Sequence, residues 1–418
     1  MMISLSRFFK TFGCRTNQFD TQVMMQNLGA HTISQSESDC DVVVVNSCTV
    51  TNGADSSVRG YISSLKRKNP NARVILAGCG AYQKGEELLK QKKVFGIIGH
   101  SKKESIADFI STKESFVELG DFDHIDETIV QDFIGKSRAF IKIQEGCDFE
   151  CSYCIIPKVR GASRSHKEAT ILEQIDILAH NGFGEFILTG TNVGSYGKGT
   201  DTSLARLLKK ISLIRGVRRV RIGSMEPSQI DSEFLELLDE PWMAKHLHIA
   251  LQHTSDTMLE RMKRNNRFVG DQKLFELIAS RGYALGTDFI VAHPGESDAL
   301  WQEALQRVEV LPLTHIHAFT YSKRDGTESA LMRDSVHGDT AKSRHRELTA
   351  LIKDKNYRFR KEHSKNLEVL IEQSDREFYR GYDQYYNSVE VLTKRDIANS
   401  WVSLEDVEVK DEKNYSKI

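Results

Sequence analysis

Over the first three-quarters of the chain, short apolar β-rich runs alternate with amphipathic stretches. Residues 7–12, 41–46 and 72–77 read as strands, the first of them within the opening segment 1–13. The last two are apolar without alternation, as strands buried on both faces of a parallel sheet are. Helical periodicity lies between, over 20–28 and 53–68, the second stretch closed by Asn69-Pro70. That order predicts an α/β unit with a parallel sheet. The rhythm returns from residue 139. Strand-like stretches cover 139–144, 185–189, 218–224, 246–251, 286–291 and 315–320, with helices such as 166–181 and 203–214 between them. Six strand–helix units predict a partial (β/α)6 barrel with its site at the strands' C-terminal edge. Beyond residue 366 only strands are expected, over 367–372, 378–386, 388–393 and 401–409, followed by a polar tail.

A length of 418 residues implies two or three domains, and the pattern divides them at 1–112, 133–363 and 364–418. No apolar run approaches the length of a membrane span, and the N-terminus lacks the h-region of a signal peptide. A cytoplasmic protein without a membrane partner is expected. Seven cysteines, an odd number, point to a reducing compartment and to metal-binding or catalytic thiols. The net charge is −1, so any nucleic acid must be held by local basic patches. Candidates are Lys66-Arg67-Lys68, residues 215–221 and residues 261–267. The aromatics Phe378, Tyr379, Tyr382, Tyr385 and Tyr386 are candidates for base stacking, although strand alternation would send about half of them inward.

The chemistry concentrates in the cysteines. Cys147, Cys151 and Cys154 stand at a C-x3-C-x2-C spacing just after the strand at 139–144, with Tyr153 before the third. Three thiolates suit a soft metal and fall one short of a closed zinc or iron–sulfur site, which leaves one iron open. The competing reading is a structural zinc knuckle with a distant fourth ligand. Cys14, Cys48 and Cys79 each follow a predicted strand, and strand C-termini of a parallel sheet share one edge, so these three should converge. Cys40 precedes its strand and should lie at the opposite edge. The alternative for the three is a set of buried apolar cysteines.

Past the barrel strands come Thr191, Asn192, Glu226, Gln252 and the loop His293-Pro-Gly-Glu296, together the expected lining of a cofactor and substrate cavity. His246 and His248 share a strand face, as do His315 and His317. They read as barrel-lining or satisfied core histidines, because no third metal ligand is near in sequence.

The spacing GCDFECSYC, with its aromatic before the third cysteine, resembles the signature of radical S-adenosylmethionine (SAM) enzymes. Nearly the whole chain resembles the methylthiotransferase family within them. The matching segments are TFGCRTNQFDTQ (11–22), NSCTVTNGAD (46–55), AGCGAYQ (77–83), KIQEGCDFECSYCIIPKVRG (142–161), LTGTNVGSYG (188–197) and HLHIALQ (246–252). The resemblance implies an N-terminal cluster domain, a radical SAM barrel, and a small C-terminal antiparallel β-barrel of TRAM type that binds RNA. It implies two 4Fe–4S clusters, one on Cys147, Cys151 and Cys154 and one on Cys14, Cys48 and Cys79. SAM contacts would fall to Tyr153, Thr191, Asn192, Glu226 and Gln252, with no catalytic residue beyond the clusters.

Within the family, SCTVTNGAD and CIIPKVRG resemble the branch that modifies threonylcarbamoyladenosine beside the tRNA anticodon. The reaction implied is methylthiolation at C2 of adenosine-37. A SAM-derived radical would open an unactivated C–H bond, the second cluster would supply sulfur, and a further SAM the methyl group. An electron donor of flavodoxin or ferredoxin type would be the partner. The alternatives are the isopentenyladenosine branch, the ribosomal-protein aspartate branch, and a non-enzymatic metal-containing RNA-binding protein. Two segments depart from the family pattern: His253-Thr254-Ser255 stands where Ser-Gly-Ser is usual, and Ala292-His293 where Gly-Phe is usual. Both are expected on the active edge.

Overall fold

The structure is a computed structural model that describes residues 5–29, 33–133 and 135–418. Its N-terminal part is a parallel sheet in sequential order, β1 (Arg7–Thr11), β2 (Val42–Ser47), β3 (Arg73–Gly78), β4 (Gly96–Ile98) and β5 (Phe116–Glu118). The expected first strand is found over Arg7–Thr11; the opening residues 1–4 lie outside the described ones. Helices α1 (Arg15–Gln26), α2 (Asn52–Lys68), α3 (Cys79–Lys90) and α4 (Ile106–Ser111) connect the strands. α2 starts where the Thr51 hydroxyl accepts the Ala54 N–H and stops before Pro70. α1 begins at Arg15, five residues earlier than its periodicity suggested, so Cys14 sits at its N-cap. The helix is the joint between two units. It buries Met24 against the sheet, and Phe19 and Val23 in the apolar core of the barrel that follows.

That barrel is built from β6 (Ala139–Glu145), the short antiparallel β7 (Arg164–Ser165), β8 (Glu185–Gly190), β9 (Arg219–Ile222), β10 (His246–His248), β11 (Ala284–Val291) and β12 (His315–Thr320). β6, β8 and β9 pair in parallel, as do β10, β11 and β12. Parallel bridges Val220↔Met243 and Met225↔Ile249 join the two sets into the six-strand arc expected. Helices α5 (Ile156–Arg160), α6 (Glu168–His180), α7 (Leu204–Ser212), α8 (Ser232–Glu236), α9 (Asp256–Arg261), α10 (Phe268–Ala279) and α11 (Asp298–Val310) lie between strands, and α12 (Gly338–Glu362) leads out.

The C-terminal part is a six-stranded curled sheet of β13 (Lys365–Asp375), β14 (Phe378–Tyr382), β15 (Ser388–Leu392), β16 (Trp401–Asp406), β17 (Glu408–Val409) and β18 (Asn414–Lys417). Its order is β16-β13-β14-β15-β18-β17, antiparallel except for the parallel pair β15/β18. The tail expected to be irregular thus supplies a strand; the alternating Asn414, Tyr415, Ser416 is too short and polar to announce one.

Several residues of the basic runs proposed for RNA have structural partners within the chain. Lys66, Arg67 and Lys68 form the last turn of α2, where positive charge offsets the helix dipole. Arg219 and Arg221 are buried and both bind the Glu185 carboxylate, Arg221 at 2.7 Å. They also hold the C-terminal sheet through the carbonyls of Glu368 and Asp383. Arg218 lies over Trp401. In the third run Arg261 binds Asp334 at 2.7 Å and Arg264 turns inward. Four of the five candidate stacking aromatics are packed. Tyr379 is in the sheet's core, Tyr382 stacks on Tyr386 against Arg138, and Tyr385 packs on Phe359 and His363. Phe378 alone of the five is largely exposed.

Candidate active site: a cavity lined by six cysteines

The strand-end geometry brings both cysteine sets to one place. Cys14, Cys48, Cys79, Cys147, Cys151 and Cys154 all line a single cavity of about 390 Å³ between the N-terminal sheet and the mouth of the barrel. Cys40 is not among its lining. It is buried just before the N-terminal end of β2, at the opposite edge of the sheet, its thiol donating to the Glu37 carbonyl. Close approach of the first two cysteine loops depends on Gly13, which has φ +97°; a Cβ there would stand 2.6 Å from Cys48 Cβ.

Neither cysteine triad belongs to the groups that bring three ligand atoms within 4.8 Å of one another, which among the described residues are Asp20/His100/Glu145 and His248/Asp288/His317. Thiolates of one zinc ion would lie about 4 Å apart. The triads are therefore more widely spaced than the thiolates of a single zinc ion, and a donor set of three thiols suits iron. Burial pushes the thiols of Cys48 and Cys154 up to about 12 and raises those of Cys79 and Cys147. Without a metal centre they stay protonated; iron would hold them as thiolates.

Each triad is served by a nitrogen donor. Arg160 Nε donates to Cys79 Sγ at 3.3 Å, Asn192 Nδ2 to Cys147 Sγ at 3.8 Å and Arg264 Nη1 to Cys151 Sγ at 3.7 Å. Arg160 follows the barrel triad in sequence but serves the other one. It is fully buried, with Nη1 on Glu145 and Nη2 on Asn17 (2.7 Å) and Asp20 (3.1 Å). Asp20 also receives Lys103 at 2.5 Å and Lys142 at 2.7 Å. Burial alone would push the Asp20 carboxyl up, but these cations hold it well below the usual carboxylate range. The knot ties α1 to β6 and α5, fixing one triad relative to the other.

All five residues expected at SAM line the cavity: Tyr153, Thr191, Asn192, Glu226 and Gln252. Thr191 Oγ1 is buried there without a hydrogen-bond partner, as is Oη of Tyr321, another lining residue. Buried orphan polar atoms facing an empty space fit a ligand that satisfies them. Gln252 adopts φ +67°, a costly conformation for a non-glycine residue. The bridge to Phe289 fixes it, with its N–H on the Asp288 carbonyl (2.9 Å) and its carbonyl on the Ile290 N–H (2.8 Å). Glu226 is gripped through both oxygens by Arg264.

The loop 293–296 and His253 do not line the cavity. Glu296 is buried behind it, bound by Arg344 at 2.6 Å, with His253 Nε2 3.3 Å away. His293 Nε2 pairs with the Ser329 hydroxyl, which donates to Ser152. The two departures from the family pattern thus fill the packing behind the wall. Arg160, Asp288 and Tyr321 face the cavity although sequence reasoning assigned them no role. Arg160 stands inside the matched segment 142–161, so its position was visible; its partners come from distant strands and were not.

Comparison with known proteins agrees with this geometry. Residues 6–99 match the model of "Uncharacterized protein family UPF0004" and residues 141–308 that of the radical SAM superfamily. A Helicobacter pylori protein named "Putative methylthiotransferase" is 49% identical over 98% of this chain and 99% of its own length. The threonylcarbamoyladenosine tRNA methylthiotransferases MtaB of Aquifex aeolicus and Bacillus subtilis are 33% and 32% identical over 90% and 91% of the chain, and 94% and 89% of theirs. Among solved structures, the radical SAM methyltransferase TsrM of Kitasatospora setae superposes with a TM-score of 0.61 at 15% identity, over 78% of this chain and 77% of that one. That likeness supports the fold. The chain is therefore a member of the radical SAM methylthiotransferase family, near its MtaB-type members, and works with SAM and 4Fe–4S clusters.

Proposed function

We propose that this enzyme adds a methylthio group to C2 of N6-threonylcarbamoyladenosine at position 37 of tRNA, in the cytoplasm. In this reading Cys147, Cys151 and Cys154 hold the cluster that engages SAM, and Cys14, Cys48 and Cys79 the cluster that donates sulfur. The observation that carries it is the meeting of both triads in one cavity. An unactivated aromatic C–H offers nothing to general acid–base groups, and the bound clusters and SAM supply the radical and sulfur chemistry it requires.

The chain's own residues orient and shield. Arg264 steadies Cys151 and Glu226 together, Asn192 steadies Cys147, and Arg160 steadies Cys79. Thr191 and Gln252 offer polar atoms to SAM. Ile155, Ile156, Ile290 and Phe319 form an apolar wall that excludes water from a reactive intermediate. The three units at 1–112, 133–363 and 364–418 would carry the sulfur-donating cluster, SAM chemistry and tRNA binding, with a flavodoxin- or ferredoxin-type reductant.

Support for the threonylcarbamoyl branch comes from the MtaB relatives at 31–33% identity. A tRNA-2-methylthio-N(6)-dimethylallyladenosine synthase of Clostridium novyi reaches 31%, which keeps that branch as the second reading. Nucleoside mass spectrometry of tRNA from cells lacking the gene tests the proposal. Loss of the methylthio mark from threonylcarbamoyladenosine supports it, and loss from the dimethylallyl nucleoside selects the second reading. Retention of both marks overturns the tRNA assignment.

A further inference from the structure

Below the mouth of the cavity, β10, β11 and β12 turn four histidines and one aspartate onto a common face. The register pairs His246 with Ala284, His248 with Gly286, Gly286 with His315 and Asp288 with His317. His246, His248, Asp288, His315 and His317 thus share one face of three adjacent strands. They fit because Gly286 leaves room. A Cβ there would stand 2.8 Å from His248 Nδ1 and 3.2 Å from His246 Nε2. The third ligand that sequence reasoning did not find is Asp288, supplied by the strand between the two histidine pairs.

His248 Nε2 lies 3.2 Å from Asp288 Oδ1, and His317 Nδ1 lies 3.3 Å from the same oxygen. Two observations argue against a mere hydrogen-bonded packing cluster. His248 is 8% exposed, yet its Nε2 has no hydrogen-bond partner despite that short approach, so the ring nitrogen is not aimed along a bond to the carboxylate. Asp288 has no lysine or arginine within ion-pair distance among the described residues; the side chains closest to its Oδ1 are the two imidazoles. The other group of similar compactness, Asp20/His100/Glu145, is already neutralised by Lys103, Lys142 and Arg160 and has no vacancy for an ion. Ligand atoms 3.2–3.3 Å apart match adjacent positions around a first-row ion with bonds near 2.1 Å.

We propose that His248, Asp288 and His317 form a divalent transition-metal site, distinct from both iron–sulfur positions. Two imidazoles and one carboxylate suit zinc, iron(II) or manganese rather than calcium or magnesium. Asp288 lines the cysteine cavity and the His317 side chain is 61% exposed, so an ion held here would be within reach of both the cavity and solvent. The site depends on no assumption about which nucleoside is modified.

Zinc is the probe. Anaerobic holoenzyme with its full iron content is dialysed against graded Zn²⁺, and zinc and iron per chain are read by elemental mass spectrometry. The expected result is one zinc per chain with iron unchanged. His317→Ala and Asp288→Asn should each weaken that binding by more than about tenfold, since loss of an outer-shell partner alone costs 10–100-fold. His317 is an exposed strand residue, so its variant tests binding without threatening the fold. Iron content in both variants should equal wild type, which separates this site from the cluster assignments. No saturable zinc in the wild type, or zinc bound equally by His317→Ala, overturns the proposal.

Discussion

Replacing Asp20 by Asn keeps the shape of the side chain and removes one charge from the knot that joins the two cysteine-bearing units. The fully buried Lys103, Lys142 and Arg160 would then face Glu145 as their remaining fully buried carboxylate. Breaking a buried ion pair from one side costs about 3–5 kcal/mol. Lys103 limits the loss. Burial already pulls its pKa down, and it is the cation nearest Asp20. Releasing its proton at pH 7 costs about 1.4 kcal/mol for each of roughly 3.4 units below an unfolded pKa near 10.4, about 5 kcal/mol in all. In the variant a lysine whose folded pKa lies below its unfolded one destabilises the chain at all pH values under the unfolded pKa. The penalty shrinks as pH climbs toward that value. The wild-type lysine already carries part of that penalty, so the gap between wild type and variant should be at most about 5 kcal/mol at pH 7 and should narrow by up to about 3 kcal/mol at pH 9. Anaerobic urea unfolding of the holoenzyme, followed by far-ultraviolet circular dichroism at both pH values, measures it. A gap under about 0.5 kcal/mol at pH 7, the size of a surface substitution, would refute the reasoning. So would a gap of several kcal/mol that is the same at both pH values.

Two further outcomes follow from the geometry. Cys40→Ala should form product at the wild-type rate, with a stability loss of about 1 kcal/mol, because Cys40 lies outside the cavity; inactivity with normal folding would show that the wrong cysteines are assigned. Arg344→Met strips the buried Glu296 of its cation and should lower stability by about 3–5 kcal/mol in urea titrations; an unchanged midpoint would mean that Glu296 is held by its other contacts.

The cysteine pattern was legible because parallel sheets put strand ends on one edge, a rule that needs only strand positions. It separated Cys40 from Cys14, Cys48 and Cys79 correctly as far as cavity lining goes. The six barrel strands were legible for the same reason. Basic runs were not, since charge in sequence carries no direction. Arg219 and Arg221 alternate inward to Glu185 and Arg264 to Glu226, and in each case the partner lies 34 or more residues away. The histidine site failed similarly. Its carboxylate sits between the two histidine pairs in sequence and beside both only after pairing of β10, β11 and β12. The departures at His253 and His293 were expected on the active edge because they adjoin strand ends. Both side chains instead turn behind the wall, where burial is complete.

The central claim is that two chemically different cluster sites share one cavity, and one comparison tests it. Anaerobically reconstituted wild type, Cys151→Ala and Cys79→Ala are each given SAM, reductant and tRNA, and 5′-deoxyadenosine and methylthio nucleoside are measured together. The account predicts neither product from Cys151→Ala, and 5′-deoxyadenosine without methylthio nucleoside from Cys79→Ala. Methylthio product from Cys79→Ala, or 5′-deoxyadenosine from Cys151→Ala at the wild-type rate, would contradict it.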